Sequence, residues 1–295
     1  MKNTIFQGVA TALVTPMNAD GSVNYDRLRS LIDEQIEAGV AGLVICGTTG
    51  ESATLSIEEH KKVLDVAIKH TNKRVKIIAG TGSNDSAVAA ELSIEAEESG
   101  ADALLMVTPY YNKTTQAGLI AHYSYVASKV SLPIILYNVP SRTGVNIKPE
   151  TYAELAKIDN IVATKEANGD LSSIVKTMNL CGDNLDVYSG NDDQIVPIMA
   201  LGGKGVISVL SNVAPKETAK ICDYMLEGKH AEAAKMQIKY SPLIDALFSE
   251  VNPIPVKVAM NEMGLNVGPL RLPLVPMQEG TKQNLINNLK EFNLI

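Results

Sequence analysis

Lys165 is the residue of this sequence whose position most needs a chemical explanation. It follows the apolar run at 161–164, so it stands where a predicted buried strand ends. Lysine is almost never fully buried unless it is paired. At such a place its amine can attack a carbonyl compound and form a Schiff base. The alternative is a structural ion pair with the adjacent Glu166 or with another carboxylate.

An imine-forming lysine has to be neutral for part of the time. Its pKa must therefore fall from about 10.4, either because the amine is buried or because a positive charge lies near it. Arg142, which follows the preceding predicted strand, would supply such a charge. Its guanidinium also suits bidentate capture of a carboxylate, although a solvated surface arginine would give the same sequence.

Other polar residues stand at or just after the ends of predicted strands. The phenol of Tyr137 could carry protons while an imine and a carbon–carbon bond form. Taken alone, it would be a core tyrosine with a hydrated hydroxyl. Thr48 and Thr49 lie between Gly47 and Gly50, which allow close backbone approach. Hydroxyl and amide donors there could bind a carboxylate, whereas the alternative is two simple turn residues.

The strands that would position these residues are predicted from a repeat. Eight short runs rich in aliphatic and β-branched residues recur at 9–14, 42–46, 75–79, 103–107, 133–137, 161–164, 185–189 and 204–209. Such runs without polar alternation are typical of strands buried on both faces of a parallel sheet. The segments between them have helical periodicity, as at 28–36, and Ser56 with Glu59 is a capping-box pattern.

Eight strands alternating with helices indicate an α/β fold, a (β/α)8 TIM barrel that closes near residue 227. A doubly wound open sheet is the alternative, but no Gly-x-Gly-x-x-Gly motif follows the first run. We therefore predict a catalytic barrel domain at 1–227 and a C-terminal helical region at 228–295 that packs on it. Helices are expected in that region near 229–249, 254–263 and 280–292.

The composition indicates a globular protein and argues against several classes of function. The 295 residues are 45% hydrophobic and 20% charged, which speaks against disorder. A net charge of −7 without a Lys/Arg cluster speaks against a nucleic-acid partner. No segment reaches the ~20 apolar residues of a membrane span, and the first residues lack the apolar stretch of a signal peptide. A cytoplasmic protein is expected.

The spacing of cysteine and histidine predicts neither a disulfide framework nor a metal site. Cys46, Cys181 and Cys222 are odd in number and far apart. The histidines at 60, 70, 122 and 230 form no zinc-binding motif. We therefore expect no metal and no cofactor.

In such a barrel the carboxyl ends of the strands meet on one face, where the chemistry gathers. The lysine, threonine and arginine side chains named above would stand there with Tyr137, and Tyr110 and Tyr111 follow the fourth run. A non-catalytic ligand-binding or scaffolding protein that retained the barrel is the rival interpretation. It leaves Lys165, Tyr137 and Arg142 without a shared purpose.

The segments at 47–52 (GTTGES) and 137–144 (YNVPSRTG), with the strand of Lys165, resemble the motifs of the dihydrodipicolinate synthase family in order and spacing. The resemblance covers essentially the whole chain. It implies a pyruvate-dependent lyase of diaminopimelate and lysine biosynthesis, in which a Schiff base on Lys165 becomes an enamine and attacks L-aspartate 4-semialdehyde. A sibling aldolase acting on a sugar acid, like N-acetylneuraminate lyase, is the alternative, but such siblings typically lack an arginine at the position of Arg142.

The same resemblance implies roles for further residues. Thr49, Tyr137 and Tyr111 match a proton relay. Because Tyr111 would reach into the neighbouring subunit's site, a homodimer is the smallest complete unit, and a homotetramer is expected. The positions that match substrate-binding residues are Thr48, Thr49, Arg142, Gly190 and Ile207.

Many members of the family bind lysine as an effector at a dimer interface. The residues that match this site are Ser52, Ala53, His60, Asn84 and Tyr110. Ile57 and Val88 replace a polar and an acidic residue of the pattern. Because Val88 cannot pair with an ammonium group, we predict weak or absent inhibition by lysine.

Overall fold

Eight parallel strands, hydrogen-bonded in chain order, form a closed barrel in the computed structural model, which describes residues 2–295. The strands are β1 (Gly8–Ala12), β2 (Gly42–Ile45), β3 (Lys76–Gly80), β4 (Ala103–Val107), β5 (Ile134–Asn138), β6 (Ile161–Glu166), β7 (Asp186–Ser189) and β8 (Gly205–Ser208). Strand β8 pairs with β1 and closes the barrel. The predicted TIM barrel is confirmed. Met1, the first residue of the predicted barrel domain, lies outside the described range.

Twelve α-helices in residues 2–295 surround the barrel or follow it. They are α1 (Tyr25–Glu37), α2 (Ile57–Thr71), α3 (Ser86–Ser99), α4 (Gln116–Ala127), α5 (Pro140–Thr143), α6 (Pro149–Leu155), α7 (Leu171–Cys181), α8 (Ile195–Ala200), α9 (Pro215–Leu226), α10 (His230–Leu247), α11 (Ile254–Glu262) and α12 (Glu279–Glu291). None of them has the length and apolar character that crossing a membrane requires.

The strands consist almost wholly of buried residues because each strand is covered on both sides. Val44, Ile135 and Ile207 belong to one apolar cluster, which fills the barrel interior. Their neighbours Leu43 and Leu136 belong to a larger cluster that includes the helices. This alternation decides which strand residues point into the barrel.

The predicted runs lie within one or two residues of the observed strands, and one difference concerns the site. The sequence predicts that the sixth strand ends at Thr164, whereas β6 continues to Glu166. Its pairing with β5 continues equally far, with Tyr137 opposite Lys165 and Asn138 opposite Glu166. Lys165 therefore lies inside a strand, where the ladder fixes its backbone.

Local signals explain where two helices begin. The Ser56 hydroxyl accepts a hydrogen bond from the Glu59 amide at 3.2 Å, and the Glu59 carboxylate accepts one from the Ser56 amide at 3.0 Å. The predicted capping box of α2 is thus confirmed. Pro149 is the first residue of α6, where a helix needs no N–H donor.

The C-terminal region consists of α10, α11 and α12, which pack on the preceding helices. Helix α10 contacts α8 and α9, while α11 and α12 contact α10 and each other. Leu243, Met260 and Leu289 belong to the same buried apolar cluster as Leu13, which follows β1. The predicted helices of this region are present, and the division into two domains after residue 227 stays a prediction.

Candidate active site

The register of β5, β6 and β7 places three side chains of the barrel interior side by side. Tyr137, Lys165 and Tyr188 are lateral neighbours on these strands. The Lys165 Nζ lies over the Tyr137 ring, 4.4 Å from the ring centroid. Lys165 is 5% exposed and Tyr137 is 7% exposed. The amine is therefore packed against an aromatic face and nearly removed from water.

Glu166 does not pair with Lys165, because consecutive strand residues point to opposite sides. Its carboxylate accepts a hydrogen bond from the Tyr152 hydroxyl, and the Asn138 amide donates to Oε1 at 3.2 Å and Oε2 at 3.3 Å. Within residues 2–295, Lys165 forms no ion pair with a carboxylate, and Asp192 acts on it only through its charge. A structural ion pair therefore does not explain Lys165.

The surroundings of Lys165 lower its pKa to about 8. Burial is the main cause, because it disfavours the charged ammonium. The negative charge of Asp192 works against this change in pKa, and the positive charge of Arg142 adds to it. About a tenth of the amine is consequently neutral at pH 7, and nucleophilic attack requires this neutral form.

Burial also raises the pKa of Tyr137, so its phenol keeps its proton at neutral pH. Arg142 and the side chain of Thr48 oppose this effect on the Tyr137 pKa, because both stabilise the phenolate. Thr48 therefore lies beside the Tyr137 hydroxyl. The pair can pass a proton between them.

The two neighbouring threonines have different surroundings. Thr49 is 3% exposed, and its Oγ1 accepts a hydrogen bond of 3.0 Å from the Asn252 amide nitrogen. The turn packs closely against the end of β1. Glycine suits position 50, because a Cβ there would lie only 3.1 Å from the Leu13 carbonyl oxygen. Of the two threonines, Thr48 is the partner of Tyr137, whereas Thr49 contacts the C-terminal region.

Arg142 lies on the short helix α5, which the sequence does not predict as helical. Its Nη2 donates a hydrogen bond of 3.0 Å to the Asn252 carbonyl oxygen. The side chain is exposed, yet its charge lowers the pKa of both Lys165 and Tyr137. The guanidinium is thus near enough to act on the Lys165 amine through its charge, and it is open to a ligand.

Gly190 and Ile207 surround the same group of side chains. The Gly190 amide donates to the Glu166 carbonyl oxygen at 2.7 Å, and a Cβ at Gly190 would lie 2.8 Å from the Ala167 Cβ. Ile207 is completely buried in the interior cluster that contains Tyr137. Both positions suit backbone contacts better than side-chain chemistry.

Tyr111 differs from the other predicted site residues because it is 90% exposed. Its backbone has a φ of 68°, in the left-handed region that non-glycine residues seldom adopt. Tyr110 is 37% exposed. The loop after β4 therefore presents two aromatic rings to the surroundings of the chain.

The residues matched to an effector site are spread over the α2 and α3 side of this face. The Asn84 amide donates to the Tyr110 carbonyl oxygen at 3.2 Å. His60 is buried, with Nε2 2.9 Å from the Gly80 carbonyl oxygen. Ser52 and Ala53 belong to a short 3₁₀ helix. Ile57 is 48% exposed, so its apolar side chain faces solvent in the single chain.

A model of the dihydrodipicolinate synthetase family matches residues 5–292. The chain belongs to this family. It is 51% identical over 291 residues to the 4-hydroxy-tetrahydrodipicolinate synthase of Clostridium perfringens strain SM101, with 99% of this chain and 100% of that protein covered. Dihydrodipicolinate synthase from Aquifex aeolicus has a similar structure, with a TM-score of 0.96 at 44% identity over 98% of this chain and 99% of that one.

A further dihydrodipicolinate synthase structure, the chloride-inhibited enzyme of Acinetobacter baumannii, was solved with pyruvate. It has a TM-score of 0.96 at 46% identity, over 99% of this chain and 100% of that one. These relatives confirm the predicted activity of a 4-hydroxy-tetrahydrodipicolinate synthase, a lyase of diaminopimelate and lysine biosynthesis. The sugar-acid aldolase is not favoured.

Two residues that contact or influence this site, Asn252 and Asp192, were not predicted from the sequence. Asn252 bonds both Thr49 and Arg142, but 203 residues separate it from Thr49, and the sequence around it indicates only a helix break. Asp192 stands two residues after Gly190 and is 2% exposed. A search for acidic residues after each strand would have found Asp192, whereas no local pattern indicates Asn252.

Proposed function

We propose that Lys165 carries the synthase reaction by forming an imine with pyruvate. The observation that supports this assignment is a buried amine with a pKa near 8, packed on the Tyr137 ring and without a carboxylate partner among residues 2–295. The neutral amine attacks the keto carbon of pyruvate, and loss of water with uptake of one proton leaves a protonated, positively charged imine. Loss of a methyl proton then gives the enamine.

The enamine carbon next attacks the aldehyde of L-aspartate 4-semialdehyde. A new carbon–carbon bond forms, and the aldehyde oxygen takes up a proton. The amino group of the adduct then attacks the imine carbon and displaces the Lys165 amine. This cyclisation releases the heterocyclic product and restores the enzyme.

Tyr137 is the proton carrier that the site supports best. Its buried phenol lies beside the amine, and Thr48 is its partner in the same chain. We propose Thr48, Tyr137 and Tyr111 as the relay. A role for Thr49 in proton transfer stays a prediction. Its hydroxyl oxygen accepts a hydrogen bond from the Asn252 amide.

The substrate carboxylates are bound at two places in this proposal. The amides and hydroxyls of Thr48 and Thr49 bind pyruvate, and the backbone at Gly190 and Ile207 lines the pocket. The exposed guanidinium of Arg142 binds the carboxylate of the semialdehyde. Separate sites for the two substrates fit an enzyme whose second substrate enters after the imine has formed.

We also propose that the enzyme works in the cytoplasm as a homodimer or a homotetramer. The exposure of Tyr111 supports self-association, because the relay needs this side chain in a site. A neighbouring subunit would bring its Tyr111 to the Tyr137 of this chain. Sedimentation of the purified enzyme tests the oligomeric state.

Borohydride trapping tests the central assignment. The enzyme is incubated with pyruvate, reduced, digested and analysed by mass spectrometry. We expect one adduct on the peptide that contains Lys165 and none in Lys165→Ala. A folded wild-type enzyme without the adduct would reject the imine mechanism and favour a non-catalytic barrel. Turnover of aspartate semialdehyde, with sugar acids as the comparison, tests the substrate.

A further inference from the structure

A buried ion pair connects the threonine turn with the C-terminal region. Glu51 is the last residue of the turn that carries Thr48 and Thr49, and its side chain is 1% exposed. The Lys257 ammonium on α11 donates to Glu51 Oε1 at 2.7 Å. The pair lies in none of the steps described above, so its position next to the site needs a separate explanation.

The hydrogen bonds around this pair fix both partners. Lys257 also donates to the carbonyl oxygens of Pro269 at 2.6 Å and Thr15 at 3.3 Å. The second carboxylate oxygen of Glu51 accepts from the Arg271 amide at 3.0 Å. A buried pair is held in one geometry when its remaining donors and acceptors are satisfied in this way.

The backbone of the turn depends on this arrangement. Glu51 has a φ of 55°, a left-handed conformation that costs energy for a residue other than glycine. Its amide donates to the Thr48 carbonyl oxygen at 3.1 Å. Thr15 Oγ1 donates to the Gly50 carbonyl oxygen at 2.6 Å, and Thr15 also contacts Lys257. The ammonium thus supports both sides of the turn.

We infer that Glu51 is a positioning residue for Thr48 and Thr49, held in place by Lys257 of the C-terminal region. This inference rests on the proposed function, in which both threonines bind pyruvate and Thr48 passes protons. It makes the C-terminal region part of the catalytic apparatus. Neither Glu51 nor Lys257 needs to touch a substrate.

The test uses the full-length enzyme and the double variant E51Q/K257M. This change removes both charges together, so no unpaired buried charge remains. We expect a folded enzyme whose kcat/KM for pyruvate falls on the order of 10²-fold, the loss that a misplacement of about 1 Å causes. Amide hydrogen exchange in the peptide at 47–52 should accelerate. The matched control is K282M, which removes the half-exposed Lys282–Glu262 pair of the same region and should leave both readouts unchanged.

Two outcomes would overturn the inference. One is a folded double variant with wild-type kcat/KM for pyruvate and wild-type exchange at 47–52. The other is seen in the wild-type enzyme itself and needs no folded variant: exchange within seconds at the amides of Gly50 and Glu51 would mean that the turn is not held. Borohydride trapping in the wild type is measured alongside, so a failure of the imine mechanism is recognised separately.

Discussion

Tyr137 and Lys165 face each other across β5 and β6, with the amine 4.4 Å from the centre of the ring. The aromatic face attracts an ammonium ion, whereas burial favours the neutral amine. Burial prevails, since the pKa of Lys165 falls to about 8. The rate of imine formation should therefore increase as the pH rises through 8 and then level off.

Arg142→Gln should move this pH profile to higher pH. The arginine charge lowers the pKa of Lys165, so its removal lets the amine hold a proton more firmly. At a pH well above the midpoint, pyruvate should still be trapped on the variant. The value of kcat/KM for the semialdehyde should fall roughly tenfold to a hundredfold, as expected for a lost charged hydrogen bond. The measurement is the rate of borohydride-trapped adduct against pH. A profile that stays in place would contradict the role of this charge.

Asp192→Asn should move the same profile in the opposite direction. The carboxylate raises the pKa of Lys165, and its removal leaves the amine neutral at lower pH. The replacement keeps the shape, because one Asp192 oxygen accepts from the Val209 and Leu210 amides and the other has no partner. Asp193→Asn is the adjacent control and should leave the midpoint unchanged.

Thr48→Val and Thr49→Val should have separable effects. Removal of the Thr48 hydroxyl takes away the partner of Tyr137, so kcat should fall by about 10²–10⁴-fold, the contribution of positioned acid–base groups. Removal of the Thr49 hydroxyl leaves the Asn252 amide without its acceptor and should lower stability. Steady-state kinetics and thermal unfolding of both variants distinguish the two roles. Equal losses of kcat would assign the relay to both.

Glu166→Gln should stabilise the protein above neutral pH. Burial raises the pKa of Glu166 from 4.5 to about 7. Between these two pH values, the folded state therefore keeps a proton that the unfolded state has already released. Wild-type stability should therefore fall as the pH rises towards 7, by about 3 kcal/mol for a difference of this size. Urea unfolding at pH 5 and pH 8 measures it. The variant should lack this fall, and parallel pH dependence in both proteins would contradict the prediction.

Lysine should inhibit this enzyme weakly or not at all. Val88 and Ile57 both have aliphatic side chains, so neither can bind the ammonium or polar groups of the effector. Initial rates measured against lysine concentration provide the test, with Val88→Glu as the variant that restores an acidic group. Strong inhibition of the wild type at sub-millimolar lysine would sink the prediction.

The barrel could be predicted from the sequence because strands buried on two sides leave an unbroken apolar run. Lys165 and Tyr137 could be predicted as candidates because Lys165 follows such a run and Tyr137 ends one. The choice between an ion pair and a reactive amine could not, since Glu166 is adjacent in sequence and its side chain lies on the other side of the strand. That choice depends on strand pleat and on Tyr152, which is remote from the motif.

The contacts of Asn252 could not be predicted from the sequence around it either. A hydrogen bond between Thr49 and a residue 203 positions later follows only from the packing of the C-terminal region on the barrel. The same holds for Lys257, an ordinary helical lysine in the sequence. Hydrophobic periodicity predicts which surfaces are buried, but it does not predict which polar groups meet across them.

Asn252 holds Thr49 through its side chain and Arg142 through its backbone carbonyl. Chimaeras that combine the barrel of one relative with the C-terminal helices of another must therefore match across this junction. In a library that recombines the two parts freely, many chimaeras would be inactive because these contacts do not match, even where the barrel itself is intact. Crossovers that keep Thr49, Glu51 and Arg142 from the same parent as Asn252 and Lys257 should preserve activity most often.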